Sequence, residues 1–189
     1  MPPSRVTGVV LAAGAGRRLG EPKATATYKD ERFVDRAVRT LRAGGVEPVL
    51  VVLGAAVTEV PEATVVPNPD WATGMASSLR VALDALEETQ CEAILVTLAD
   101  EVRLAREDVA AVLHTEGELV ATRYENTWSH PVRIDRAHWR TLREQLKGDR
   151  GARPYLERHA DELILVPATN PDGIRDLDRS VDAPGTSSS

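Results

Sequence analysis

The stretch from residue 11 to residue 23 constrains the fold of this chain most strongly, because three glycines follow directly on an apolar, β-branched run. That run, at residues 6–11, predicts a buried strand. Gly14, Gly16 and Gly20 then allow tight turns and let a ligand approach the backbone closely. The N–H groups of such a turn, together with its arginines and lysine, form an anion site. We expect a nucleotide triphosphate as the anion.

Two well-known glycine loops do not fit this spacing. A dinucleotide-binding loop reads G-x-G-x-x-G, whereas the glycines here read G-x-G-x-x-x-G, which is one residue too long. Pro22 also stands where the helix of that loop would be running. A P-loop requires Gly-Lys-Ser or Gly-Lys-Thr, and neither follows. The turn therefore belongs to neither class.

Beyond this turn the chain alternates apolar runs with amphipathic stretches. Strands are predicted at 48–53, 64–66 and 94–98, and helices at 31–43, 74–88, 106–115, 136–146 and 151–159. Two more strands, 118–124 and 128–134, are predicted with a turn at Glu125-Asn126 between them. The pattern predicts an α/β fold: a doubly wound, mostly parallel sheet with helices on both faces and a small antiparallel element. Ligands of such sheets bind at the carboxyl ends of the strands.

Length, charge and cysteine content narrow the class of protein. The 189 residues fit a single domain over 1–182, followed by a disordered tail over 183–189. The net charge of −6 argues against a nucleic-acid or membrane partner. A helix that spans a membrane requires about 20 apolar residues in a row, and no apolar run in the sequence is that long. Cys91 is the single cysteine, and no secretory start follows Met1. We expect a cytoplasmic protein, either a monomer or a small homo-oligomer.

A second candidate site follows the predicted strand 94–98. Asp100 comes two residues after the end of that strand. A carboxylate in this position can hold Mg²⁺ against the phosphates of a nucleotide. An aspartate after a strand can also be a simple turn or cap residue. On the residues alone both interpretations of Asp100 stay open, and we predict it as a metal ligand.

The stretch 11–23 resembles the L-A-A-G-x-x-x-R-x-G-x-P-K signature of the nucleotidyltransferases that make molybdenum-cofactor dinucleotides and nucleotide sugars. The resemblance implies a Rossmann-like nucleotidyltransferase fold and transfer of a nucleoside monophosphate from an NTP to a phosphate-bearing acceptor, with release of pyrophosphate. It implies catalytic roles for Arg18, Lys23 and Asp100. The nucleotide would be bound by the same two cations and by the turn, at Leu11, Ala12, Ala13, Gly14, Ala15 and Gly16.

Residues 68–79 resemble the N-P-x-W-x-x-G-M-x-S-S-L motif of the molybdenum-cofactor cytidylyltransferases. The resemblance implies that Gly74, Ser77 and Ser78 contact the base or the ribose, although the serines can also simply cap the helix. Ala-Ala-Gly at 12–14 is similar to this branch, whereas guanylyltransferases read Leu-Ala-Gly-Gly. The resemblance therefore favours CTP as the nucleotide and molybdopterin as the acceptor.

Two further segments are similar to the family on the acceptor side. Ser129-His130-Pro131-Val132 resembles G-H-P-V, with a serine in place of the glycine, and implies that His130 contacts the acceptor, although this histidine can also simply steady the loop. Residues 148–153 resemble G-D-x-G-A-R and would bring Arg150 or Arg153 to a phosphate. Either arginine can instead pair with Asp149.

The predicted metal site departs from the family pattern at both acids. Relatives read L-A-D-Q-P, whereas Asp100 is followed here by Glu101 and Val102. Asp176-Leu177-Asp178 resembles the D-I-D that opens D-I-D-T-P-E-D, but the following residues differ. The resemblance implies Asp178 as the second ligand of Mg²⁺.

Three other functions remain open from the sequence. The acceptor can be a sugar phosphate or another small phosphate instead of molybdopterin. The chain can be an NAD(P)-dependent oxidoreductase, against which the glycine spacing argues. It can also be a nucleotide-binding protein without turnover, because the segments around Asp100 and Asp178 are altered.

Overall fold

The computed structural model describes residues 5–16, 20–102 and 104–170. Its strands are β1 (Val6–Leu11), β2 (Thr27–Tyr28), β3 (Glu31–Arg32), β4 (Val49–Leu53), β5 (Thr64–Pro67), β6 (Ala93–Leu98), β7 (Leu119–Arg123), β8 (Trp128–Asp135) and β9 (Leu163–Pro167). Its α-helices are α1 (Phe33–Ala43), α2 (Met75–Leu86), α3 (Arg106–His114), α4 (Trp139–Gln145) and α5 (Arg153–Arg158). Short 3-10 turns lie at Trp71–Thr73, Arg136–His138 and Gly148–Arg150.

Seven of these strands form one sheet in the order β5-β4-β1-β6-β8-β7-β9. Six of the seven run in one direction, and β8 runs against its neighbours β6 and β7. Because β8 is reversed, its first residues lie at the same edge of the sheet as the last residues of β1 and β6. Trp128 and His130 are therefore brought to the edge where such sheets bind ligands.

Helices cover both faces of the sheet. On one face α1 and α3 pack through apolar residues such as Leu41 and Val109, and on the other α2, α4 and α5 pack through residues such as Leu79 and Leu142. The central strands β1 and β4 are buried along their whole length, which fits their β-branched sequences. The predicted doubly wound, mostly parallel fold with an antiparallel element is confirmed.

Three strands are absent from the sequence prediction. One is β9, which lies at the edge of the sheet beside β7, although its apolar run at 163–166 has the character of a strand. The pair β2 and β3 fills residues 27–32, so α1 begins at Phe33 and not at residue 31. Lys29 and Asp30 form the turn between them with φ values of 51° and 64°, and this turn lacks the glycine that normally marks such a conformation.

The remaining boundaries differ little from the predicted ones. The helix expected at 74–88 is α2, and the helix expected at 136–146 begins with a 3-10 turn before α4. The predicted domain end at residue 182 and the tail at 183–189 lie outside the described residues. None of the helices in the described ranges combines the length and the apolar character that crossing a membrane requires.

Candidate active site

The glycine-rich turn folds back on itself at the carboxyl end of β1. The N–H of Lys23 donates to the carbonyl of Gly14 at 3.1 Å, and the N–H of Gly20 donates to the carbonyl of Gly16 at 2.9 Å. Gly16 has a φ of 60°, and a Cβ at this position would lie 1.8 Å from the carbonyl oxygen of Glu21. Only glycine fits there without displacing the turn, because any side chain would collide with the backbone.

A cleft opens at this edge of the sheet, and it has two halves that share Leu11, Met75, Leu98 and Asp149. The turn half, about 360 Å³, is also lined by Ala13, Gly14, Ala15, Lys23, Trp71, Ala72, Gly74 and Ser78. The apolar half, about 320 Å³, is also lined by Leu79, Val96, Glu101, Trp128, Ser129, His130, Val132, Ile134, Arg150, Gly151, Ala152, Arg153 and Leu156.

An ion pair joins the turn to the end of β6. Lys23 Nζ lies 2.6 Å from Asp100 Oδ2, and the two side chains are 25% and 35% exposed. The N–H of Ala99 donates to the carbonyl of Leu11 at 3.2 Å, which holds the two strand ends together. Lys23 and Asp100, which are 77 positions apart in the sequence, thus meet at the carboxyl ends of the strands, where sheets of this kind place their ligand sites.

Asp100 has the chemistry of a cation ligand. Its Oδ1 is buried and has no hydrogen-bond partner in the described part of the chain. Leaving such an oxygen unpaired costs about 1 to 3 kcal/mol, which a bound cation would offset. Carboxylate oxygens are the ligands that Mg²⁺ takes in proteins, so this residue fits the ion.

The other predicted ligand and one predicted cation are not described. Asp178 and Arg18 both lie outside the described residues. Within residues 5–16, 20–102 and 104–170, no group of three or more His, Cys, Asp and Glu side chains is arranged to hold a metal ion. Of the two predicted metal ligands, Asp100 is therefore the one that lies within the described residues.

The two predicted serines differ in their surroundings. The Ser77 hydroxyl donates to the carbonyls of Gly74 at 2.8 Å and Asp70 at 3.1 Å, and it accepts from Asn68 Nδ2 at 2.8 Å. Ser78 Oγ accepts from the same Asn68 nitrogen at 3.0 Å, and Ser78 lines the turn half. The hydrogen bonds of Ser77 close the loop before α2, so Ser78 is the serine that borders the cleft.

Ala12 and Gly16 also lie away from the cleft wall. Ala12 is 1% exposed and packs in the core against α1, and its N–H donates to the carbonyl of Val52 at 3.0 Å. Neither its side chain nor its N–H faces the cleft, so a contact of Ala12 with the nucleotide would involve its carbonyl. The structure gives Gly16 a role in shaping the turn, because its conformation sets the path back to Lys23.

Gly74 lines the turn half at the point where the segment 148–150, which borders the apolar half, packs against it. It has a φ of 118°, and a Cβ on it would lie 2.5 Å from the carbonyl of Gly148. This close contact brings the 3-10 turn Gly148–Arg150 against the start of α2, so Asp149 borders both halves. Glycine is required here both for its φ and for lack of space.

Two titratable groups of the apolar half have shifted pKa values. Burial, followed by the charge of Asp100, raises the pKa of Glu101 to about 7. Burial, followed by the charge of Arg153, lowers the pKa of His130 to about 4. His130 is among the residues that line the cleft, but its Nδ1 is buried and has no partner among the described residues. The imidazole is therefore uncharged at neutral pH.

Both arginines predicted to reach a phosphate are engaged elsewhere. Arg153 lies over the ring of Trp128, 4.2 Å from its centroid, and donates to the Trp128 carbonyl at 2.8 Å. Arg150 pairs with Glu157 at 2.9 Å. Neither arginine makes a hydrogen bond or an ion pair with Asp149 among the described contacts, so the alternative pairing is not observed.

Several residues of the site were not singled out from the sequence. Trp128 borders the apolar half, and the Tyr124 hydroxyl donates to the carbonyl of His130 at 3.1 Å. Asn68 ties both serines to the loop. Asn68 could have been found, since it opens the motif at 68–79, whereas Trp128 and Tyr124 carry no motif of their own.

Residues 8–163 match the family model of the MobA-like NTP transferase domain, which covers most of the sequence. The chain belongs to this family. The motifs of this MobA-like chain at 11–23 and 68–79 therefore identified its family correctly. At the level of family it is a nucleotidyltransferase.

Individual relatives of this MobA-like chain carry different names. It is 34% identical to nicotine blue oxidoreductase of Paenarthrobacter nicotinovorans over 189 aligned residues, which cover 92% of each chain. A segment of 49 residues, 26% of this chain and 24% of the relative, is 45% identical to a probable molybdenum cofactor guanylyltransferase of Opitutus terrae. The crystal structure of an Rv0371c homologue from Mycobacterium sp. strain JC1 has a TM-score of 0.76 and 27% identity, with 92% of this chain and 95% of that chain covered.

Proposed function

We propose that this protein transfers a nucleoside monophosphate, CMP in the first instance, from an NTP to a small phosphate-bearing acceptor and releases pyrophosphate. The observation that carries the proposal is the ion pair between Asp100, after the end of β6, and Lys23, which lines the turn half of the cleft. The family supports nucleotidyl transfer in general. The choice of CTP and of molybdopterin as the acceptor is the finer part of the proposal.

The residues of the turn half bind the part of the NTP that leaves. In this mechanism the acceptor phosphate attacks the α-phosphorus in line with the departing pyrophosphate. The N–H groups of the turn at 14–16 and the ammonium of Lys23 stabilise the β- and γ-phosphates, and we assign the same role to Arg18. No side chain has to act as a base, because a phosphate acceptor is already ionised near neutral pH.

Mg²⁺ is the proposed cofactor. Asp100 would hold it, since its Oδ1 is buried without a partner among the described residues, and we propose Asp178 as the second ligand. When bound, the ion neutralises and aligns the phosphates. The protein itself supplies Lys23 and the backbone N–H groups of the turn, which meet the negative charge of the phosphates in the turn half of the cleft.

The nucleoside part of the proposal rests on residues 74–78. Ser78 and Gly74 line the turn half, where a hydroxyl and a backbone turn can read the base or the ribose. Their motif and the Ala13-Gly14 pair resemble the cytidylyltransferase branch, which supports CTP. His130 lines the other half, which supports its assignment to the acceptor.

The test is a panel of CTP, GTP, ATP and UTP, each with and without Mg²⁺. Pyrophosphate release is measured with molybdopterin as the acceptor, and thermal stabilisation is measured in parallel, because a ligand of the native state raises its stability. We expect CTP with Mg²⁺ to give the largest stabilisation and the fastest release. A preference for GTP would overturn the cytidylyl assignment and leave nucleotidyl transfer intact. Stabilisation without any pyrophosphate release, with sugar phosphates also tried as acceptors, would favour a binding protein without turnover.

One observation favours a second candidate function, the reduction of a small molecule by NAD(P)H. The relative that is 34% identical over 92% of the chain is named nicotine blue oxidoreductase. The glycine spacing of the turn argues against a nicotinamide dinucleotide, since it is one residue longer than the usual loop. Oxidation of NADH in the presence of nicotine blue, with no NTP added, would support this function, and strong stabilisation by NADH with none by any NTP would replace the first proposal.

A further inference from the structure

The chain leaves the sheet at the ligand edge, where β9 ends. β9 runs parallel to β7, and both strands run in the direction of β6, so Pro167 lies at the same edge of the sheet as Leu98. The N–H of Ala168 donates to the carbonyl of Arg123 at 2.9 Å, which extends the pairing of the two outer strands by one residue. Thr169 then lies past the ends of both strands.

A buried carboxylate of α3 holds the chain at this point. Asp108 is 4% exposed, and its Oδ1 accepts from the N–H of Thr169 at 2.7 Å and from the hydroxyl of Thr169 at 2.6 Å. Hydrogen bonds to a carboxylate are shorter and stronger than those between neutral groups. Because two of them join the same pair of residues, they fix both the position and the direction of the chain at Thr169. We call Asp108 and Thr169 the clasp.

The clasp attaches the end of β9 to the helix that follows Asp100. The N–H of Val102 donates to the carbonyl of Asp100 at 2.9 Å, and the N–H of Leu104 donates to the carbonyl of Glu101 at 3.1 Å, so a compact connection leads from β6 into α3. Asp108 lies in the first turn of this helix. The clasp and the proposed metal ligand therefore belong to one connection of the fold.

The position of α3 gives the clasp a direction. This helix packs against β7 and β8, which lie between β9 and β6 in the sheet. A bond from Thr169 to α3 therefore turns the chain inward from the edge of the sheet. Three strand spacings separate β9 from β6, which is about 14 Å. Asp178 follows Thr169 by nine positions, and nine residues span at most about 30 Å, so the chain is long enough to reach Asp100.

We propose that Asp108 is a positioning residue, which acts through Thr169 to direct the following segment so that Asp178 reaches the cation held by Asp100. The inference rests on the proposed function in taking Asp178 as the second metal ligand. The observation that carries it is a buried carboxylate, bonded twice to a residue just past the strand ends, on the helix that directly follows Asp100. Such an attachment raises the effective concentration of a ligand on the same chain, because it shortens the free segment.

The experiment is a titration of the full chain with Mn²⁺ alone, in which electron paramagnetic resonance measures the free ion. Asp108→Ala removes both bonds and the charge, whereas Asp108→Asn removes the charge and keeps an oxygen that accepts both bonds. We expect the affinity for Mn²⁺ to fall by about 3- to 10-fold in Asp108→Ala and to stay within about twofold in Asp108→Asn, as a loss of effective concentration predicts. Thr169→Val, which removes one bond, should give a smaller fall, and Thr169→Ser should bind like the parent protein.

A double-mutant cycle with Asp178→Asn separates positioning from a purely structural role. Asp178→Asn should weaken Mn²⁺ binding at least as much as Asp108→Ala does. With Asp178→Asn already present, Asp108→Ala should have no further effect, because the two changes act on the same ligand. Thr115→Val is the matched control, since its hydroxyl bond of 2.7 Å to the Ala111 carbonyl lies at the other end of α3. This control should bind Mn²⁺ like the parent protein.

Several outcomes would overturn the inference: no saturable Mn²⁺ binding by the parent protein, parent-like affinity in both Asp108→Ala and Thr169→Val, or an equal fall with and without Asp178. An equal fall in Thr115→Val would do the same. Urea denaturation verifies that each variant is folded, and Thr169→Val carries the test if Asp108→Ala does not fold. Parent-like affinity in Asp178→Asn would remove both the second ligand and the role of the clasp. The expected Mn²⁺ pattern without pyrophosphate release from any NTP would instead count against nucleotidyl transfer alone.

Discussion

The two halves of the cleft are built in opposite ways. The turn half takes its backbone N–H groups and its lysine from one continuous stretch, residues 11–23. The apolar half takes its wall from β6, β8, α2 and the segment 148–156, which are far apart in the sequence. The proposed phosphate site is therefore encoded locally, since one turn supplies it, whereas the wall of the apolar half depends on how the sheet is assembled.

The change with the largest expected effect is Asp100→Asn, which acts on the turn half. We expect pyrophosphate release to fall by about 10² to 10³-fold, because an electrostatic partner of the reacting phosphates is lost. Stability should change by less than about 1 kcal/mol, since the ion pair with Lys23 is partly exposed. Pyrophosphate assays and urea denaturation measure the two effects. Pyrophosphate release at the rate of the parent protein would mean that Asp100 has no part in the chemistry of the turn half.

Lys23→Ala tests the same half with a smaller effect. The affinity for CTP should fall by roughly 10- to 100-fold, as the loss of a charge-assisted contact of about 1.5 to 3 kcal/mol predicts. Binding of Mg²⁺ or Mn²⁺ alone should strengthen, because the ammonium that lies 2.6 Å from Asp100 is gone. Calorimetry with the metal alone measures this gain. Lys29→Ala, at an exposed turn, is the matched control, and weaker metal binding by Lys23→Ala would contradict the idea that lysine and metal compete for Asp100.

The sequence reveals the turn half because its parts are neighbours. Gly14, Gly16 and Lys23 stand at fixed spacings, and Asp100 follows a strand whose carboxyl end must lie beside that of β1. The apolar half has no such signal. Trp128 and Leu98 line the same pocket only because β8 pairs antiparallel with β6, with Val132 opposite Val96. The pairing of β8 with β6 joins segments about 35 residues apart, and no periodicity of the sequence specifies its register.

The burial of individual residues also could not be predicted from the sequence. Ser77 and Ser78 are adjacent and chemically identical, yet one closes a loop and the other borders the cleft. Ala12 stands within the nucleotide motif and still faces the core, because alternate residues at the end of β1 point to opposite sides of the sheet. The motif identifies the segment, and only the fold assigns its individual contacts.

Glu101→Gln tests the apolar half through the pH dependence of stability. The folded pKa of about 7 lies above the ordinary value of 4.5, so the folded protein binds the proton more tightly than the unfolded chain does. Stability is therefore lost as the pH rises from about 4.5 to about 7. The substitution should stabilise the metal-free protein by up to about 3 kcal/mol above pH 7 and by nothing below pH 4.5. Urea denaturation at acid and alkaline pH measures the difference, and an equal gain at both would disprove the assigned cause.

The smallest effects are expected for substitutions of the two serines. One substitution should lower stability, and the other should lower the affinity for CTP. Ser77→Ala should cost about 1 kcal/mol of stability, because it removes hydrogen bonds that close the loop before α2, and should leave CTP affinity within about twofold. Ser78→Ala should instead weaken CTP binding by about 3- to 10-fold. Thermal unfolding and nucleotide titration of the two variants, side by side, distinguish the roles. Equal loss of CTP affinity in both would mean that the loop as a whole is responsible.

The reversed direction of β8 has a consequence for how this protein could diversify. The residues at its start belong to a hairpin with β7, and that hairpin meets the ligand edge without passing through the glycine-rich turn. Replacements at the start of β8, at Trp128 and Ser129, can reshape the apolar pocket while the glycine-rich turn keeps its conformation. One end of a single strand can therefore vary independently of the segment that defines the family.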